Sequence, residues 1–311
     1  MKLIKPSVQI IDEPNITKRI EIAARTCYKS EDKITDGSAD KMVKALIKRG
    51  HDSPLEHSNI VVETLTDEAT KNLRNLIVEY ENNSGLPAYI RNCGSDSIES
   101  NFDDKIWSGN FRAWRNIAKR YCNEPMIQGL FSADPLFDDV FADAVCFRAR
   151  ADEIIELTEC AARVIDSDPL DRDRHKILTV RMITDRGVLA EITRHRLLSF
   201  SVESSRYCRY NGEDGITYVE PWWYEEGVYT DKSAYESILR ANNIAYDVMD
   251  RFDKPMAQKS RAAMNHSTKT EIVATGTWEY WKNIIIPLRT SSAAHPDIAR
   301  VVNMVKEAMN W

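Results

Sequence analysis

Apolar positions along this chain follow two periods, and each period predicts a different element. Lys2 to Ile11 alternates as an edge strand does. Asn15 can cap a helix running to Tyr28, because Ile16, Ile20, Ala23, Ala24 and Cys27 form a helical stripe. A second helix fits Ala39 to Arg49, where Met42, Val43, Leu46 and Ile47 recur and Gly50 is placed to end it. The polar stretch His51-Asp52-Ser53-Pro54-Leu55-Glu56-His57 then precedes a β-branched run, Ile60-Val61-Val62. Asp67 to Tyr80 has helical spacing in Leu73, Leu76 and Ile77, Ser84 to Pro87 reads as a turn, and Ala88 to Cys93 as a short strand. Ser108 is expected to cap a helix over Gly109 to Tyr121 that buries Trp114, and Asp138 to Val164 reads as one or two helices.

Lys176 to Ile183 is dominated by apolar and β-branched residues and predicts a strand, broken at Asp185-Arg186-Gly187. A helix from Val188 is expected to turn Leu189, Ile192 and Thr193 to the core and to carry Arg194-His195-Arg196 at its C-terminal end, where cations suit the helix dipole. Thr217-Tyr218-Val219 reads as a strand closed by Pro221, and Trp222-Trp223-Tyr224 as core in preference to a wall of a ligand pocket. A long amphipathic helix spans Lys232 to Phe252, with Ile238, Ala241, Ile244, Ala245 and Val248 along one side. Pro255 opens a further stretch through Arg261 and Met264, Ala274 to Trp278 leads into a helix through Asn283, and Pro296 begins a last one with Ile298, Val301, Val302 and Val305 inward. Strand-like stretches come singly between long helices and no GxGxxG follows a strand. The expected class is therefore α+β, a twisted, mainly antiparallel sheet flanked by long helices.

Composition narrows the function classes. An apolar fraction of 43% over 311 residues fills a core, and a formal charge of −6 argues against a general nucleic-acid binder. No apolar run approaches the roughly 20 residues of a membrane span, and MKLIKPSVQIID lacks a signal-peptide core, so a soluble cytoplasmic protein is expected. The six cysteines are scattered without CxxC spacing, which argues for reduced thiols over a disulfide framework or zinc site. Two histidines and a glutamate between His51 and His57 raise the question of a metal, but the spacing is not HExxH and Pro54 interrupts a helix. A polar loop is the plainer reading, and no metal is expected.

The chemistry concentrates between Arg186 and Tyr207. Three consecutive side chains, Arg194, His195 and Arg196, cannot share one helix face. Ser199, Ser201, Ser204, Ser205 and Arg206 follow within a few residues. Arginine forks, an imidazole and short hydroxyl donors together suit a phosphate or carboxylate. The plainer alternative is ion pairing with this acidic chain's own carboxylates, and the serine-rich continuation favours the anion site.

Arg194-His195-Arg196, seven intervening residues, Ser204 and then Arg206-Tyr207 resemble the signature of the flavin-dependent thymidylate synthases. His51 to His57 resembles that family's early flavin-contacting segment, with Ser53 meeting FAD and His51 and Glu56 shaping the pocket, and Ala23 to Cys27 resembles its early Ala-Arg segment. Arg261 is similar to the family's phosphate-holding arginine, although Gln258 stands where many members carry Glu. The segment from Thr277 through Asn283 resembles its second flavin segment, and Arg289 falls on the arginine assigned to uracil activation. The spacing from Thr277 to Arg289 is one residue longer than in short members.

The resemblance implies conversion of dUMP to dTMP, with 5,10-methylenetetrahydrofolate as carbon donor and NADPH as reductant through bound FAD. It implies a dUMP site of Glu191, Arg194, Glu203, Ser204, Ser205, Arg206, Arg261 and Arg289, with Arg289 catalytic. It implies FAD contacts from Ser53, Arg194, His195, Arg196, Thr277 and Asn283, and a homotetramer whose sites are shared between subunits. Glu191, where some members have Gln, is expected to pair with Arg194 or Arg186 or to accept a base N–H. Short members join the early strand almost directly to the signature helix, so about 66–175 reads as a helical insertion within one domain over 1–311. Two rivals stand beside this reading. A flavin-independent synthase would need a nucleophilic cysteine, and none of the six has the surroundings. A non-enzymatic nucleotide- or RNA-binding protein would use Arg194 to Arg206 for phosphates and Trp222-Trp223-Tyr224 for stacking.

Overall fold

The computed structural model describes residues 1–85, 87–92, 105–141, 162–165, 175–212, 215–226, 228–251 and 256–311. In chain order the principal elements begin with β1 (Lys2–Ile4), β2 (Ser7–Ile10), α1 (Ile16–Tyr28), α2 (Ser38–Arg49), β3 (Ile60–Thr64) and α3 (Asp67–Ser84). Next come β4 (Ile90–Asn92), β5 (Ile106–Gly109), α4 (Phe111–Arg120), α5 (Pro125–Phe131), α6 (Asp138–Phe141), β6 (Ala162–Ile165), β7 (Ile177–Asp185), α7 (Arg186–Ile192), β8 (Ser199–Val202) and β9 (Thr217–Val219). The last are α8 (Tyr229–Arg251), α9 (Ala257–Ser260), β10 (Lys269–Thr277), α10 (Trp278–Tyr280), a π-helical turn (Trp281–Ile285), α11 (Ile286–Arg289) and α12 (Pro296–Ala308). The fold is α+β. Two compact units are distinguished, one of Met1–Ala39 with Leu178–Trp311, the other of Asp40–Ile177.

The first unit is built on a four-stranded sheet in the order β2-β7-β10-β8. Strand alternation divides it into two chemically different faces. Val8 and Ile10, Leu178, Val180 and Met182, Ile272 and Ala274, and Phe200 and Val202 point into one core with Ile192, Trp281, Ile285 and the inner face of α12. Register enforces this, since Val8 lies opposite Met182 and Ile10 opposite Val180 in the antiparallel β2–β7 pair. Each fully buried aliphatic side chain contributes about 1.5–3 kcal/mol. The intervening residues, among them Thr179, Arg181, Ser199, Ser201, Glu203, Lys269, Glu271 and Thr275, make the opposite face polar, and α1 packs against β8 and β10 there. β1 and β9 form a separate parallel pair. Beside it Tyr218, Ile216, Leu239 and Tyr246 make a second, smaller core.

The second unit carries a sheet in the order β4-β5-β3-β6, antiparallel throughout. Trp114 is fully buried, as expected, and donates its indole N–H to the Ile60 carbonyl at 3.0 Å. Phe131 and Phe137 stack at 4.3 Å between ring centres.

Several local expectations are corrected. The first strand is divided at Lys5-Pro6 into β1 and β2, which pair with different strands. Ser108 belongs to β5, and the helix cap is Asn110, whose side chain accepts from the Ala113 N–H. Ladder pairing with Val61 claims Ser108 first. Ala162–Ile165 is a strand, while 142–161 lies outside the described residues, as do Leu86, Cys93, Phe252 and Pro255. Thr193 is exposed, and so is Trp222, at 53%. The expected inner stripe of α8 is also wrong: Ile238, Ile244 and Val248 are exposed, and Leu239, Tyr246 and Asp250 are buried instead. Specific bonds fix that rotation, with Tyr218 Oη donating to the Leu239 carbonyl and the Tyr210 N–H donating to Tyr246 Oη.

Candidate active site

The arginine-rich segment is not helical. Asp185 caps α7 by accepting from the Val188 N–H at 2.9 Å, but the helix ends at Ile192. A turn follows, in which the His195 N–H donates to the Ile192 carbonyl and the Leu198 N–H to that of His195. This turn separates the three neighbouring side chains: His195 points inward, only 4% exposed, while Arg194 and Arg196 are exposed.

His195 meets Arg289 there. Arg289 Nε donates to His195 Nε2 at 2.8 Å, Nη1 donates to Glu191 Oε2 at 3.2 Å, and Nη2 donates to the Glu191 carbonyl at 3.0 Å. Since guanidinium nitrogens only donate, Nε2 must carry the lone pair and the imidazole proton sits on Nδ1, facing Tyr280 Oη at 3.4 Å. Burial and the Arg289 charge both push the His195 pKa below its ordinary 6.5, which keeps the ring neutral and able to accept. Glu191 thus finds a cationic partner, though it is Arg289 rather than the expected Arg194 or Arg186.

The stretch from Thr277 to Arg289 is not one regular α-helix. Thr277 caps α10 by accepting from the Tyr280 N–H at 3.1 Å. Trp281–Ile285 then forms a π turn, closed by an Ile286 N–H to Trp281 carbonyl bond, which takes up one residue more than an α turn. Asn283 is exposed on this turn.

The serine turn lies beyond β8. The Ser204 N–H donates to the Cys27 carbonyl at 2.9 Å, and Ser204 Oγ accepts from the Arg206 N–H at 3.3 Å. Ser205 is buried and Arg206 exposed, its guanidinium 5.6 Å from the Tyr207 ring centre. Arg261 is exposed in a single 3-10 turn after α9, as Gln258 is on α9 itself. Among the described residues no carboxylate lies within 4 Å of Arg194, Arg196, Arg206 or Arg261. In an acidic chain, four guanidiniums with no carboxylate partner among the described residues are suited to an anion from outside.

Glu203 is differently placed. It is buried, with Oε1 accepting from Tyr210 Oη at 2.6 Å and Oε2 from Lys269 Nζ at 2.7 Å. Next to it Glu271 accepts from Lys29 and Lys269, each at 2.7 Å, and from Arg181 at 2.5 Å. Burial opposes its charge, yet the hydrogen bonds from Lys269, Lys29 and Arg181 hold its pKa at about 2. Sequence reasoning missed this cluster. Its signal was Lys269 and Glu271, two apart on a strand whose neighbours are otherwise apolar, where an interior charge requires a partner.

In the other unit, Ser53 is exposed at the start of a 3-10 turn, Ser53–Glu56, His51 is exposed, and Glu56 pairs with Arg112 at 2.5 Å. Two of the thiols are poor nucleophiles: burial raises Cys27, and burial together with the Glu203 charge raises Cys208 to about 11. Among the described residues no group of three or more His, Cys, Asp or Glu is placed to hold a metal ion, and no helix is long and apolar enough to cross a membrane.

The first unit thus carries four exposed arginines with no carboxylate partner among the described residues, and a buried histidine bonded to the half-buried Arg289, on an α+β fold. The chain belongs to the thymidylate synthase complementing protein family, the flavin-dependent thymidylate synthases, whose model matches residues 9–71 and 140–311. No curated protein matches it. Among solved structures it is similar to the UMP/dUMP methylase PolB from Streptomyces cacaoi. The complex with 5-Br dUMP shares 13% identity at a TM-score of 0.39, over 99% of this chain and 92% of that one. The complex with 5-Br UMP shares 13% identity at a TM-score of 0.40, over 99% and 91%. A likeness this distant carries no argument about the site.

Proposed function

We propose that the chain methylates dUMP to dTMP, with 5,10-methylenetetrahydrofolate as carbon donor and NADPH as reductant through bound FAD. The observation that carries the reading, beside family membership, is Arg289 gripped by a neutral His195 and by Glu191 within the unit that bears four arginines with no carboxylate partner among the described residues.

The residues fit both anions. Arg206 and Arg261 would hold the dUMP phosphate, with Ser204 and Ser205 as further donors. Arg194 and Arg196 are free to meet the FAD pyrophosphate, and exposed Asn283 can hydrogen-bond the cofactor. Thr277, whose hydroxyl caps α10, would serve that cofactor chiefly by fixing the start of the helix that carries Asn283 and Arg289. Bound FAD supplies the electron transfer that no side chain can perform.

The protein's own work is orientation and charge. Arg289 is the proposed catalytic residue: a guanidinium against the uracil would stabilise the electron-rich form in which C5 is nucleophilic. His195, by accepting from Nε, aims the outer Nη edge of that fork, and Tyr280 holds the imidazole in the tautomer this requires. Glu191 occupies the same edge, so it can accept a base N–H as the nucleotide takes a share of Arg289. Glu203, paired with Lys269 and Tyr210, would brace the serine turn.

The proposal includes a cytoplasmic homotetramer with sites shared between subunits, and an elaboration at about 66–175. The family model passes over 72–139, which supports the latter. The test is dTMP formation by purified protein given dUMP, methylenetetrahydrofolate, NADPH and FAD. Omitting dUMP, methylenetetrahydrofolate or NADPH, or stripping the protein of FAD, should abolish product. A colourless protein that makes no dTMP but binds oligonucleotides in a salt-sensitive way would favour the RNA-binding alternative.

A further inference from the structure

Asp250 lies in the last turn of α8 and is 4% exposed. A carboxylate in that position is costly unless donors surround it, and here the donors come from two other segments. Oδ2 accepts from Arg209 Nη2 at 2.6 Å and from Asn211 Nδ2 at 3.1 Å, while Oδ1 lies 3.3 Å from Ser260 Oγ, whose single proton it shares with the Met256 carbonyl, also at 3.3 Å. Arg209 and Asn211 directly follow the turn that presents Arg206. Ser260 is the last residue of α9 and directly precedes Arg261. One turn earlier on the same helix, Tyr246 Oη accepts from the Tyr210 N–H at 3.2 Å, so the segment after Arg206 is docked along α8 at two successive levels.

We propose that Asp250 is a positioning residue for phosphate recognition, its single carboxylate fixing the Arg206 turn and the Arg261 turn to the end of α8. The inference rests on the reading that these two arginines hold the phosphate of dUMP. Neither has a carboxylate of its own among the described residues, so the turns that carry them, and not ion pairs, set where they stand. The tie is specific to the phosphate end of the ligand. It involves neither Arg289, His195 nor Glu191, so disturbing it should weaken recognition of the phosphate and spare the chemistry at the base.

The experiment compares wild type, Asp250→Asn, Ser260→Ala and Arg261→Ala in steady-state kinetics with dUMP and in titrations with dUMP and deoxyuridine. Asp250→Asn keeps the shape and removes the charge, and should raise KM for dUMP about tenfold with kcat at saturation within twofold. Ser260→Ala severs one arm and should raise KM by a smaller factor in the same direction. Binding of deoxyuridine, which lacks the phosphate, should be unchanged in both. Thermal midpoints establish that each variant is folded, and if Asp250→Asn is not, Ser260→Ala carries the test alone. An unchanged KM, or an equal loss for dUMP and deoxyuridine, overturns the positioning role. If Arg261→Ala leaves dUMP affinity intact, the phosphate reading itself fails and takes this inference with it.

Discussion

The bond between Arg289 and His195 makes the sharpest prediction. Replacing His195 by Leu keeps an apolar side chain in a buried position but deletes the acceptor that Arg289 Nε meets at 2.8 Å. A hydrogen bond from a charged donor contributes about 1.5–3 kcal/mol, so if Arg289 acts on the uracil only when aimed, turnover should fall about 10- to 100-fold. Glu191 still grips the two outer nitrogens, which is why the loss should be smaller than deletion of Arg289 itself. His195→Gln, whose amide oxygen can accept in place of Nε2, should recover much of the rate. The pH profile separates aiming from simple packing. The groups facing the imidazole are Arg289, Tyr280 and, through Arg289, Glu191. Protonation would fill the Nε2 lone pair and set one cation against another. Because the His195 pKa lies below the ordinary 6.5, wild-type turnover should hold through 6.5 and decline only at lower pH. Between the folded pKa and 6.5 the unfolded chain binds more protons than the native one, so stability also declines as pH falls through this window. The glutamine variant should lose this acid limb. Steady-state dTMP formation from pH 5 to 8 is the assay; full turnover in His195→Leu, or an unchanged acid limb in His195→Gln, would refute the reasoning.

Three other outcomes are expected. Arg289→Ala should retain FAD, read from the flavin absorbance, while losing most dTMP formation; normal turnover removes it from the mechanism. Glu271→Gln should destabilise the first unit, because a carboxyl moved from 4.5 to about 2 contributes roughly 3 kcal/mol at neutral pH, trimmed to about 2 kcal/mol by solvent at the rim of the cluster. That contribution is complete above pH 4.5 and is lost as pH falls through about 2, so the gap from wild type in denaturant unfolding should be widest near pH 7 and close at acid pH; a pH-independent gap contradicts the ion cluster as its source. If sites are shared between subunits, mixing two inactive proteins, Arg289→Ala and Arg206→Ala, should restore part of the activity, and mixtures that never recover would remove the shared site.

Local patterns carried far where the governing contacts were local. The Asn15 cap of α1, the Gly50 end of α2, the strand β7 and the inner face of α12 all follow from neighbours a few residues apart, and the structure has them. Arg289 and His195 were each singled out from sequence, but their bond joins positions 94 residues apart and no periodicity encodes it. Glu191 was awkward for the same reason, since its partner lay in a distant helix. The rotation of α8 shows why a hydrophobic stripe can mislead. Counting aliphatic residues favours Ile238, Ala241 and Ile244, whereas the buried face is set by Leu239, Tyr246 and Asp250, the last two held by polar bonds to the segment after Arg206. No periodicity marks the π turn between Thr277 and Arg289, which the local pattern reads as ordinary helix.

The central claim is that this protein activates C5 of a uracil nucleotide by means of Arg289. Release of tritium from dUMP labelled at C5 tests it most directly, using purified protein with FAD, NADPH and methylenetetrahydrofolate. The account predicts tritium in water in step with dTMP formed, abolished by Arg289→Ala. Wild-type protein that carries flavin and binds dUMP yet leaves the label in place would contradict it.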